Sequence, residues 1–139
     1  MPGVRRPVAT SSAGQRGSVS TELVVATPLL LVLVMLVVQF ALWEDAQHVA
    51  ESAAERGAET ARVEHGSDAQ GLTAAQTTIA QLGGHLLLGP TVSVSRSGEV
   101  VTATVSGRAE AVVPFVTLQV HATAAGPVER FQSPLATAP

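Results

Sequence analysis

Hydrophobic and polar positions divide the chain into three regimes. From Leu23 to Trp43 no charged residue interrupts an apolar run. At about 1.5 Å rise per residue, a helix of that length covers the roughly 30 Å hydrocarbon core of a bilayer. A buried core helix would need a larger protein around it, so the pattern predicts a membrane span. Pro28 lies inside the run, removes one backbone donor and is expected to kink the helix. From Glu44 to Gly66 the composition changes but helical character persists, because EDAQHVAESAAERGAETARVEHG is rich in strong helix formers. Ala46, Ala50, Ala54 and Ala58 recur every fourth residue, and Ala53, Gly57 and Ala61 form a neighbouring row. Such a seam of small side chains lets another backbone approach closely, or it is simply an alanine helix of high propensity. Gly66 is the expected C-cap, with His65 in the last turn.

The third regime begins with a second helix. Ser67 is placed to be its N-cap and Gln70 to complete a capping box. Leu72, Ala75, Ile79 and Leu82 mark its buried face, and Gly83-Gly84 ends it. HLLLGP reads as a short apolar connection. From Thr91 the period becomes two: TVSVS, the turn RSGE, then VVTATVSG form a hairpin signal, and a linker through Pro114 leads to a third alternating strand, TLQVHATA. The fold class is therefore α+β, a long N-terminal transmembrane and stalk helix followed by a small helix and a three-stranded antiparallel sheet. Expected boundaries are a leader 1–17, a transmembrane helix 18–43, an Ala-rich stalk 44–66, an outer domain 67–127 and a flexible tail 128–139. An outer domain of roughly 60 residues buries only a modest core, so it should dock on the stalk helix or on a neighbouring subunit.

Charge orients the span. Arg5, Arg6 and Arg16 precede it, whereas Glu44 and Asp45 follow at once, so the N-terminus is expected in the cytoplasm and the C-terminal part outside the cytoplasmic membrane. The run is longer than a signal-peptide core and lacks a small-x-small cleavage site after it. The 139 residues contain no cysteine, which excludes disulfide stapling and thiolate chemistry. A net charge of −3 argues against nucleic acid as a partner. His48, His65, His85 and His121 have no metal-ligand spacing, and no nucleophile elbow, P-loop or dinucleotide fingerprint occurs. Catalytic residues, metal sites and cofactors are not expected. Glu51, Glu55 and Glu59 lie four apart on a solvated face.

One stretch is unexplained by these rules: RGSVSTELVVATP puts a carboxylate, Glu22, at the mouth of the apolar run, five positions after Gly17. Gly17 followed by Ser18-Val19-Ser20-Thr21-Glu22 resembles the type IV prepilin cleavage signature. Together with Pro28 six residues after Glu22, and Gln39-Phe40 eleven residues after Pro28, it resembles the TadE-like minor pseudopilins of tight-adherence (Tad/Flp) pilus systems. The family has glutamate where this chain has Gln39. The similarity continues into the stalk, AAERGAETA.

The resemblance implies that a prepilin peptidase cuts between Gly17 and Ser18 and that Glu22 and Pro28 serve processing and assembly. It also implies partners: other Tad pilins and pseudopilins, a membrane assembly platform and the lipid bilayer. Cleavage would remove Arg5, Arg6 and Arg16 and create an amine at Ser18 able to pair with Glu22 of the same or an adjacent subunit. Helix packing is expected at Gln39, Phe40, Ala46, Ala50, Ala54, Gly57 and Ala58, with Gln39 making an interhelical hydrogen bond. The alternative is an uncleaved single-pass anchor carrying an extracellular binding module. An exported enzyme domain has no identifiable acid, base or nucleophile set.

Overall fold

The computed structural model of the protein describes residue 3 and residues 14–130, with side chains from residue 21 onward. Most of the expected leader and the end of the expected tail, residues 131–139, lie outside the described residues. Five elements follow one another: α1 (Gly14–Arg62), α2 (Asp68–Gly83), β1 (Leu87–Ser97), β2 (Val100–Ala109) and β3 (Gln119–Pro127). The fold class is α+β, as the periodicity indicates. The chain divides into two units at Leu36/Val37.

In the first unit every side chain from Thr21 to Leu36 is exposed. Leu23, Leu29 and Leu31 keep 60% or more of their surface free. Pro28 is accommodated within α1. The Thr27 hydroxyl donates to the Leu23 carbonyl at 2.8 Å, the local side-chain bonding available to a hydroxyl inside a helix.

In the second unit the sheet has the order β1-β2-β3, antiparallel throughout. A two-residue turn, Gly98-Glu99, joins β1 to β2, with Ser97 opposite Val100. Gly98 has φ +61°, which suits the first central position of the primed turns whose twist matches a hairpin. Val101, Ala103, Val105, Val120 and Ala122 point to one face and are buried, while Thr102, Thr104, Ser106, His121 and Thr123 alternate onto the other.

The buried face packs on the small-residue seam of α1. Ala46, Ala50, Ala53, Ala54, Ala58 and Ala61 are all 5% exposed or less. The seam is thus filled by the chain's own sheet and by α2. Among the described residues no aromatic ring is fully buried, and the largest fully enclosed side chains are Leu87, Val101, Val105 and Val120. Small side chains on both layers bring the backbones close. The tightest point is the α1–α2 crossing, where a Cβ on Gly71 would stand 2.6 Å from the Gly57 carbonyl oxygen and 2.8 Å from Ala61 Cβ.

The capping box is present: the Ser67 hydroxyl accepts from the Gln70 amide at 3.2 Å, and the Gln70 side chain accepts from the Ser67 amide at 3.1 Å. Three details depart from the sequence reading. α1 ends at Arg62, and His65, not Gly66, takes the left-handed conformation, φ 67°. Gly66 is needed for space, since a Cβ there would lie 2.7 Å from the Thr60 carbonyl oxygen. The buried face of α2 is Gly71, Ala75, Ile79 and Gly83, while Leu82 is exposed, because the crossing demands glycine on the inner side. Finally, Leu87-Leu88 already pair with Ala109 and Arg108, so β1 begins before Pro90 and resumes at Thr91 after an irregularity. A bulge on an edge strand is where proline and a positive-φ glycine, here Gly89 at +57°, are tolerated.

Candidate functional site

The features that mark this chain chemically all lie on α1. Gly17 and Ser18 are in its first turns, with side chains outside the described ones. The helix begins at Gly14 rather than near Ser18, so the Gly17–Ser18 peptide bond lies within helical backbone. Glu22 is exposed and immediately precedes Leu23, where the apolar run begins. Pro28 sits six residues further along the same helix.

Gln39 is placed differently from the interhelical hydrogen bond expected of it. It is the buried polar residue of the domain, 2% exposed, and its amide is bonded within the chain. Its Oε1 accepts from the Val112 amide at 2.7 Å and the Val113 amide at 3.2 Å, and its Nε2 donates to the Glu110 carbonyl at 3.0 Å. One side chain thereby satisfies three backbone groups of the β2–β3 loop. A primary amide suits this task because it both donates and accepts; a carboxylate only accepts.

Two more donors follow at helical spacing. Trp43 Nε1 donates to the Gln119 carbonyl at 3.0 Å, and Gln47 Nε2 donates to the His121 carbonyl at 2.9 Å. β3 is an edge strand, paired only with β2, so alternate carbonyls on its free side need donors. The spacings match. Four helical residues advance about 6 Å and two strand residues about 6.8 Å. The row Gln39, Trp43, Gln47 therefore passes from the β2–β3 loop, held by Gln39, to the β3 edge, where Trp43 and Gln47 donate to successive outward carbonyls. It stops at Glu51, a carboxylate, which instead accepts from Gln47 Nε2 at 3.0 Å. Trp43 and Gln47 were not foreseen. Their signal is present in the sequence as three donor side chains spaced by four immediately after an apolar run.

Phe40 is exposed and its ring lies 5.7 Å from that of Trp43, tilted by 41°. At the far end of α1 the Glu129 amide donates to the Arg62 carbonyl at 2.8 Å, and Arg62 Nε lies 3.6 Å from Glu129 Oε1. Other described contacts between charged or titratable groups along the stalk are exposed: His48 lies 3.3 Å from Glu44 and 3.8 Å from Glu51, and Arg56 pairs with Glu59 at 3.4 Å. Such pairs contribute little. Among the described residues no group of three or more His, Asp or Glu could hold a metal ion. α1 is the one described helix long and apolar enough to cross a membrane.

Residues 17–59 match the family model described as TadE-like protein, a similarity confined to that stretch. The match covers the glycine-to-glutamate signature, the exposed apolar helix and the part of α1 that carries the donor row. No curated protein and no solved structure matches the chain.

Proposed function

We propose that this chain is a minor pseudopilin, a non-enzymatic structural component of Tad/Flp pilus assembly. In this reading it is inserted in the bacterial cytoplasmic membrane with its N-terminus inside and its α+β unit outside. A prepilin peptidase cuts between Gly17 and Ser18, and the mature protein associates with other pilins through the membrane helix. The observation that supports it most is that the TadE-like match falls on a helix whose side chains from Thr21 to Leu36 are all exposed. The small-residue seam is occupied intramolecularly, so lateral association uses residues 18–38 rather than the stalk.

The chemistry of the opening stretch is consistent with processing. A glycine in a helix costs about 1 kcal/mol relative to alanine, so local unwinding is easiest around Gly17, and a residue without a side chain leaves the backbone open to a protease. Cleavage removes the arginines before the span and makes a cation at Ser18. Glu22 near hydrocarbon is costly, by a couple of kcal/mol or more at depth, and a neighbouring ammonium offsets that cost while setting the axial register between helices.

The test is co-expression of the full chain with its peptidase. Loss of residues 1–17 by intact mass is expected, and Gly17→Val should abolish it. Cleavage that proceeds unchanged in Gly17→Val, or no cleavage at all, would overturn the proposal and favour an uncleaved anchor.

A further inference from the structure

We propose that the β2–β3 loop is a second membrane contact, with Phe115 entering the bilayer interface beside the outer end of the span. The loop sequence from Ala111 to Leu118, AVVPFVTL, carries no charge. Within it the Val116 amide donates to the Val113 carbonyl at 3.3 Å, leaving Pro114 and Phe115 at the two central positions of a turn. Phe115 has φ +69°. Proline followed by a positive-φ residue is the arrangement of a type II turn, whose second central position favours glycine or asparagine. A bulky aromatic there is strained. Its side chain is also fully exposed, 105%. The turn thus holds its most apolar side chain in an unfavoured backbone conformation and fully exposed.

The position of the loop says what covers it. Gln39 binds its backbone at residues 110, 112 and 113, and Trp43 binds Gln119 just after it, so the loop is fastened at both ends to the last turns of the apolar run. On those turns Val37, Val38 and Phe40 are exposed, and Val112 in the loop is 43% exposed. The loop and the helix therefore offer apolar side chains at one end of the same unit. The chain has three Phe, one Trp and no Tyr, and Phe40, Trp43 and Phe115 all belong to this end. Aromatic residues concentrate where a bilayer meets water. Glu44 and Asp45 directly follow Trp43 in the chain, so charge returns just past the aromatic residues of the helix. A lipid surface fits this arrangement, since it requires neither a complementary pocket nor a charged partner.

The inference rests on α1 spanning a bilayer, and the test separates the two. With no native cysteine, Phe115→Cys, Val112→Cys, Leu33→Cys and Glu99→Cys each give the full chain a unique spin-label site. In vesicles of phosphatidylethanolamine and phosphatidylglycerol, accessibility to oxygen is compared with accessibility to a water-soluble nickel chelate. Labels at Leu33, Phe115 and Val112 are expected to favour oxygen several-fold over the label at Glu99. Phe115→Asn suits the turn and removes the ring; in that background the Val112 label should shift towards water. A Phe115 label as wet as Glu99 while Leu33 is in lipid overturns the loop contact. So does a Phe115 label shielded from both reagents, which means a protein covers it, or a Val112 label indifferent to Phe115→Asn. A wet Leu33 label overturns the anchoring reading itself.

Discussion

Gln39→Leu removes the amide from the clasp while nearly preserving side-chain volume, and its consequences can be sized. Three hydrogen bonds disappear, at 2.7, 3.0 and 3.2 Å. Each contributes about 0.5–1.5 kcal/mol net, and an unsatisfied buried group costs about 1–3 kcal/mol. Glu110, Ala111 and Val112 are exposed, so part of the freed backbone can turn to water and the total falls at the lower end, about 2–4 kcal/mol. For a domain of this size each kcal/mol moves the midpoint by about 4–8 °C. Thermal unfolding of the full chain in detergent micelles should therefore shift down by about 8–32 °C. Hydrogen exchange should accelerate first at the Val112 and Val113 amides. Gln39→Glu keeps the acceptor and loses the donor to the Glu110 carbonyl, so it should lie between wild type and Gln39→Leu. A Gln39→Leu protein that melts within a few degrees of wild type, with unchanged exchange at both amides, would refute the clasp.

Other perturbations separate the local, packing and functional levels. Gly71→Ala would drive a Cβ to 2.6 Å from the Gly57 carbonyl, a backbone atom that cannot swing aside; overpacking of this kind costs about 1–3 kcal/mol, read as a lower melting temperature. Ser67→Ala removes the capping acceptor of α2 and should cost about 0.5–2 kcal/mol in chemical denaturation. Leu87→Ala empties a fully buried site under the sheet and should cost about 2–5 kcal/mol by the same assay. Glu22→Ala should leave peptidase cleavage intact and reduce recovery of the protein with pilus components; normal incorporation would dismiss a register role for Glu22.

What was legible in the sequence was mostly local. The capping box at Ser67 and Gln70, the hairpin around Gly98 and the switch to period two depend on near neighbours, and they are found as read. Non-local geometry was not legible. The orientation of α2 follows the Gly57–Gly71 crossing, so glycines at 71 and 83 are inside and Leu82 is out, a preference that hydrophobicity cannot express. Leu87 pairs across to Ala109 before Pro90, and proline alone argued for a connection there. Gln39 looked like a polar residue within a lipid-facing helix; its partners lie more than 70 residues away in the chain. The alanine periodicity was plain, but its partner was undetermined until the sheet was seen on it. At the N-terminus the reverse holds: spacing of Gly17, Glu22 and Pro28 carries the signal, and the fold adds that the apolar side chains from Leu23 to Leu36 are exposed.

The central claim is that this helix reaches its partners only after proteolysis exposes Ser18. N-terminal sequencing of the protein recovered from its native membrane tests it most directly. The account predicts a chain beginning SVSTELVV; protein that still begins at Met1 would contradict it.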